Sequence, residues 1–194
     1  MAHEKKPHGA GRSTFQFIDG KLLFDALRLV PSSVVVDLGC GKGDYTIPIA
    51  AKIGPRGKVL AVDAWQESLD ELQHRAASDR LVNIETVRAD LNEPFPLPDA
   101  IADLCFMSSV LHDVLREGPG ATALRETARV LKPGGRFAVV EFKKIDDGPG
   151  PPVSVRLTPE DVSRILGPFG FATGGATDVG PYHYLVIAER IAGD

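Results

Sequence analysis

The sequence predicts an α/β fold: a three-layer αβα sandwich on a seven-stranded, mostly parallel sheet whose last strand runs antiparallel. Three observations carry this. Short apolar or β-branched runs alternate with segments of helical period, as βαβ units require. Those runs are continuously apolar, as strands buried on both faces must be. The last two runs are joined by a short glycine-containing turn, which makes them a hairpin and reverses one strand.

Taken in order, residues 1–14 form a polar, glycine-containing lead. Residues 15–30 read as a short helical region, with Leu22, Leu23, Ala26, Leu27 and Val30 near helical spacing. Val34-Val35-Val36 is the first strand. Residues 45–53 make a helix in which Pro48 either confines the regular part or sits in the first turn. After the Gly54-Pro55-Arg56-Gly57 turn, residues 59–62 form a second strand ending at Asp63. Leu69, Leu72 and Ala76 share one helical face. Residues 84–87 are a third strand, ending near Asp90, and a proline-rich loop follows at 94–98. Residues 102–107 are a fourth strand. Leu124, Ala128 and Leu131 mark a helix that the Lys132-Pro133-Gly134-Gly135 cluster stops. Residues 137–142 are a fifth strand. Thr158-Pro159-Glu160-Asp161 is a capping-box start for a helix that Gly167-Pro168 ends. Residues 169–177 and 182–188 close the chain as two strands.

A length of 194 residues suits one domain, here residues 21–194, preceded by a lead at 1–20 that is read either as disordered or as a lid. The formal charge of −4 speaks against a concentrated basic face for nucleic acid. No apolar run approaches the roughly 20 residues that span a bilayer, and the first fourteen residues lack the apolar core of a secretion signal. Cys40 and Cys105, without nearby His or Cys partners, make no metal site of the usual spacing and read as free thiols of a cytoplasmic protein.

The most informative segment is Asp37-Leu38-Gly39-Cys40-Gly41-Lys42-Gly43-Asp44-Tyr45, a turn between a strand and a helix. Glycines there let the backbone bend sharply and approach a ligand. The dinucleotide fingerprint G-x-G-x-x-G fails in both registers, because position 44 is Asp and position 46 is Thr. Asp44 would also oppose a pyrophosphate at the helix start. No G-x-x-x-x-G-K-[ST] phosphate loop is present.

The pattern acidic-x-G-x-G-x-G resembles the class I S-adenosylmethionine-dependent methyltransferases, and the resemblance extends over roughly residues 34–188. It implies a Rossmann-like fold, S-adenosyl-L-methionine as cofactor and S-adenosyl-L-homocysteine as product. It also implies a cofactor site at Asp37, Gly39, Cys40, Gly41, Gly43 and Tyr45. Asp37 matches the carboxylate that receives the cofactor's ammonium. Asp63 matches the acceptor of both ribose hydroxyls, and Ala64 and Trp65 flank the adenine. Asp90 and Leu91 meet the adenine edge, and Ser108 lies near the amino-acid end. The layout is closest to a small-molecule branch that includes quinone-precursor and arsenite-methylating enzymes. The arsenite reading is weakened by the lack of a cysteine set, and no N-P-P-Y/F follows strand four.

The expected partner is a small-molecule acceptor, with no nucleic acid or membrane, in a monomer or homodimer. His112 follows strand four and reads either as a surface histidine at a helix start or as a rim residue of the pocket. Glu141, Lys143 and Lys144 leave strand five. Arg156 follows a stiff Gly148-Pro149-Gly150-Pro151-Pro152 segment that can roof the site. His8, Arg12, His112, Lys143 and Arg156 together suggest a small anionic acceptor. The competing function is a non-catalytic sensor or partner subunit that binds the same cofactor, separable by whether an acceptor pocket lies open above the cofactor site.

Overall fold

A computed structural model describes residues 13–117, 120–146 and 148–191. His8 and Arg12 therefore lie outside the described residues. Seven strands and six α-helices follow one another: α1 (Gly20–Leu27), β1 (Val34–Leu38), α2 (Thr46–Ile53), β2 (Lys58–Asp63), α3 (Gln66–Ser78), β3 (Ile84–Arg88), β4 (Ala102–Ser108), α4 (Leu111–Glu117), α5 (Ala121–Val130), β5 (Leu131–Phe142), α6 (Pro159–Leu166), β6 (Phe171–Asp178) and β7 (His183–Arg190). The sheet order is β3-β2-β1-β4-β5-β7-β6. β1 pairs with β2 and β4 in parallel, and β7 runs antiparallel to both β5 and β6. The expected single reversed strand is therefore β7, and it lies inside the sheet, with β6 at the edge.

Two apolar layers cover the two faces. One contains Val36, Leu38, Cys105, Met107, Phe137 and Val139 together with Leu111 of α4, Leu124 of α5 and Leu166 of α6. The other contains Val35, Leu104, Phe106, Ala138 and Val140 with Leu23 and Leu27 of α1 and Ile49 of α2. Successive side chains of a strand point to opposite faces, so one run of valines feeds both layers. β3, at the sheet edge, is the least buried of the parallel strands.

Several elements differ from the expected bounds. Residues 15–30 resolve into a 3₁₀ turn at Phe15–Phe17 and α1, which Asp19 caps by accepting from Leu22 N–H at 3.0 Å. Pro48 occupies the first turn of α2, where its missing N–H has no helical partner to lose. α5 ends at Val130, and the Lys132–Gly135 cluster forms an irregularity inside β5, whose pairing jumps from Leu131↔Ala102 to Arg136↔Leu104. α4 is not among the expected helices, although the helix-start reading of His112 falls on it. The start of α6 is as expected: Thr158 accepts from Asp161 N–H, and Asp161 accepts from Thr158 N–H, both at 3.1 Å.

Candidate active site

The C-terminal ends of β1, β2, β4 and β5 face one cavity of about 570 Å³, the position where open α/β sheets bind ligands. Its walls include Asp37, Gly39, Cys40, Gly41, Tyr45, Asp63, Ala64, Asp90, Leu91 and Ser108, all expected from the sequence. Two expected residues do not line it. Gly43 has φ +83°, and a Cβ there would stand 2.2 Å from Leu72 Cδ1; it lets the turn seat on α3. Trp65 contributes its backbone, donating to Asp63 Oδ1 at 2.8 Å as α3 begins.

The glycine turn is held to β2 from below. Gly39 and Cys40 N–H groups both donate to Val62 O, at 2.8 and 3.0 Å. Gly39 (φ +75°) has no room for a side chain, because its Cβ would lie 2.7 Å from Val110 Cγ2. Gly41 N–H donates to Asp63 Oδ2 at 2.8 Å. Each Asp63 oxygen thus accepts one backbone N–H and keeps a lone pair for a further donor. Asp37 is buried, with Thr46 Oγ1 donating to its Oδ2 at 2.5 Å. Burial pushes its pKa up to about 7; the Thr46 hydrogen bond opposes that, and the nearby Asp63 adds to it. Asp90 Oδ1 accepts from Asn92 N–H at 2.8 Å. Burial raises the Cys40 and Cys105 thiols, consistent with unreactive side chains.

The upper wall was less legible in the sequence. Ser13 and Thr14 line the cavity, and Thr14 Oγ1 lies 2.9 Å from Tyr45 Oη and 3.3 Å from Ser109 Oγ. Gly150, Pro151 and Pro152 form part of the roof, as the stiff segment suggested. Val110, His112, Asp113, Val114, Arg116 and Phe142 are among the residues of the far side. The sequence does hold one signal for this wall, Glu141: a carboxylate inside an apolar run must have a partner.

Of the five rim residues expected around the acceptor, His8 and Arg12 lie outside the described residues, and the other three divide. His112 lines the cavity, but Lys143 and Arg156 do not. Lys143 Nζ pairs with Asp178 at 2.9 Å. Arg156 is buried, and its guanidinium donates to the carbonyls of Pro151, Lys143, Ile145 and Pro149 at 2.9–3.2 Å. Its side chain is committed to holding the loop after β5, so it is a structural clamp and not an anion ligand. Burial lowers the His183 pKa to about 4, and Arg156 and Lys143 push it the same way.

The glycine turn is thus held against β2, with carboxylates at the ends of β1 and β2 and just past β3 around one cavity. A family model described as a methyltransferase domain matches residues 35–135, and the chain belongs to that family, whose cofactor is S-adenosylmethionine. Among its relatives, a ubiquinone/menaquinone biosynthesis C-methyltransferase, UbiE, of Ectopseudomonas mendocina is 34% identical over 133 residues, 66% of this chain and 47% of that protein. A demethylmenaquinone methyltransferase of Symbiobacterium thermophilum is 33% identical over 114 residues, 59% of this chain and 44% of that protein. The chain spans between a third and a half of the length of the curated relatives it matches. A solved S-adenosylmethionine-dependent methyltransferase from Aquifex aeolicus superimposes with a TM-score of 0.83 at 28% identity, covering 91% of this chain and 92% of that one. The [4+2]-cyclase SpnF, with a TM-score of 0.74 at 18% identity over 89% of this chain and 80% of that one, shares the fold alone.

The carboxylates of the cavity fit the cofactor. S-adenosylmethionine carries an ammonium, a sulfonium and a ribose diol, and the cavity meets it with the carboxylates of Asp37, Asp63 and Asp90. Asp63 retains acceptor capacity suited to a diol.

Proposed function

We propose that the protein transfers a methyl group from S-adenosylmethionine to a small-molecule acceptor. The observation that carries this is the continuity of the cavity: it runs from the cofactor carboxylates to a second wall of Val110, His112, Val114, Phe142 and Pro151. A blocked upper wall would have favoured the sensor reading. The fold by itself does not select a reaction, since a cyclase shares it. The relatives named for ubiquinone and menaquinone biosynthesis support a small acceptor.

In this reading the cofactor supplies an activated methyl group. Asp37 holds the ammonium, Asp63 the ribose hydroxyls, and Asp90 with Leu91 the adenine edge. The segment at Ser13 and Thr14 acts as a lid edge, tied to Tyr45 and Ser109. The proline roof at 150–152 excludes water and orients the acceptor, which is the main work left to the protein when the methyl is already activated. The protein acts in the cytoplasm, as a monomer or homodimer, without nucleic acid or membrane. No helix among the described residues is long and apolar enough to cross a membrane.

Calorimetric titration with S-adenosylhomocysteine and with NAD tests the cofactor assignment. Wild type should bind S-adenosylhomocysteine and not NAD, and Asp63→Ala should weaken binding by about 100-fold, the cost of losing charge-assisted hydrogen bonds. Binding of NAD alone would end the reading.

A further inference from the structure

Glu141 is fully buried near the end of β5. A carboxylate there is costly unless it is well supplied with donors. Its Oε1 accepts from the His112 backbone N–H at 3.2 Å and its Oε2 from the Phe142 N–H at 3.3 Å. His112 Nδ1 lies 3.0 and 2.9 Å from the two carboxylate oxygens. A carboxylate in this role only accepts, so Nδ1 carries a ring proton, and whenever the ring is neutral Nε2 holds the lone pair. One side chain thus supports the first turn of α4 and fixes the tautomer of a histidine that lines the cavity.

We propose that His112 is the general base of the reaction, that Glu141 is its positioning residue, and that the acceptor is a phenol or enol. This rests on the methyl-transfer reading above and narrows its substrate class. An acceptor needs a base only if its nucleophilic atom is protonated. A thiol ionises near pH 8.5 and gains least from one. An amine that enters as its free base already carries the attacking lone pair, so it gains little from a base acting ahead of the transfer. A phenolic hydroxyl, with a pKa of about 10, gains most, and the ring that carries it can pack on the side chains of Val110, Val114, Phe142 and Pro151 that line the cavity beside Asp113 and Arg116.

The step balances. The hydroxyl proton passes to His112 Nε2. The electron pair left on the oxygen, or on the carbon conjugated to it, bonds the methyl carbon, and the pair of the broken C–S bond returns to sulfur as a neutral thioether. The proton then leaves His112 for solvent. The charged groups facing the ring are Glu141 on β5, and Asp113 and Arg116 on α4. Asp113 Oδ2 is 3.7 Å from Nε2, and its Oδ1 holds Arg116 at 2.8 Å. The Phe142 ring, 6.0 Å from the His112 ring, also meets His183 at 4.4 Å and the Arg156 guanidinium at 5.5 Å. Burial lowers the His112 pKa, but Glu141 and Asp113 outweigh it and the opposing Arg116, leaving the pKa raised.

The test uses the full chain as wild type, His112→Asn and Glu141→Gln. S-adenosylhomocysteine should bind all three within threefold by calorimetry. Failure of wild type to bind would overturn the methyl-transfer reading itself; failure of the variants alone would overturn only the base assignment. Nitrogen-15 spectra of labelled histidine, assigned by the signal missing in His112→Asn, should show the Nδ1–H tautomer. They should also show a His112 pKa that falls by about one unit or more in Glu141→Gln. An Nε2–H tautomer, or a pKa indifferent to Glu141, overturns the proposal. Labelled S-adenosylmethionine is then offered with phenols and 1,3-diketones against amines and thiols of similar size. Transfer should favour the first set and fall about 100-fold in His112→Asn at pH 7, with the gap closing near pH 10, where phenols ionise unaided. Transfer confined to amines or thiols, transfer to none of the four, or a His112→Asn rate within twofold of wild type overturns it.

Discussion

Asp37 illustrates how burial writes function into a single residue. Burial raises its pKa to about 7 against the Thr46 hydrogen bond and with help from Asp63. A ligand ammonium favours the ionised form, so binding must lower that pKa and release a proton. Affinity for S-adenosylhomocysteine should therefore rise with pH up to about 7, by at most about tenfold per unit. Calorimetry in buffers of different ionisation enthalpy reads the proton release directly, and Asp37→Asn should flatten the dependence. The glycines of the turn separate at the same scale. A Cβ at Gly41 (φ +52°) would meet nothing within 4 Å, whereas one at Gly43 would meet Leu72. Gly41→Ala should cost about 1 kcal/mol of stability from backbone strain alone. Gly43→Ala should cost about 3 kcal/mol, since overpacking adds to the strain. Urea denaturation midpoints compare the two, and equal losses would contradict the distinction.

At the scale of an element, the loop between β5 and α6 is organised by one side chain. Arg156 satisfies four carbonyls from different points of that loop, and a lysine cannot reproduce the planar fork. Arg156→Lys should lose about 3 kcal/mol, the range for several hydrogen bonds to a charged group. It should also open the Lys143 and Lys144 bonds at the start of that loop to limited trypsin cleavage, and unchanged resistance would argue against the clamp. The capping box of α6 is a smaller device. Thr158→Ala should cost about 1 kcal/mol in thermal or urea unfolding. Both features were partly legible: the capping box is written in four consecutive residues, while Arg156 announced a cation but not its destination.

Across the whole molecule, stability responds to pH through buried groups of opposite sign, and His183 and Asp37 form one such pair. His183 has a folded pKa of about 4, so between pH 6.5 and 4 the unfolded chain binds the proton and the folded one does not. Stability is lost as pH falls through that window. Asp37 holds its proton up to about pH 7 when folded, so stability is lost as pH rises from 3.8 to 7. The two oppose one another, each by at most about 1.4 kcal/mol per pH unit. His183→Phe should therefore be relatively more stable at pH 5 than at pH 7.5 when compared with wild type, and Asp37→Asn the reverse. Unfolding curves at the two pH values check both signs.

The sequence by itself determined the order of the strands and of every helix but α4, the reversed strand, the glycine turn and the carboxylates at the strand ends. Those features are local: each depends on a few adjacent residues, on the period of a helix or strand, or on a backbone conformation that glycine permits. Only the tertiary structure decided how the upper wall is built. β4 and β5 are neighbours in the sheet with Ser108 opposite Val140, so the first turn of α4 returns His112 onto Glu141, 29 residues away in sequence. The same packing sends Lys143 to Asp178 and Arg156 to its four carbonyls. A charge in a sequence declares only that it needs a partner; which partner it finds is fixed by strand order and register, and no local pattern carries those.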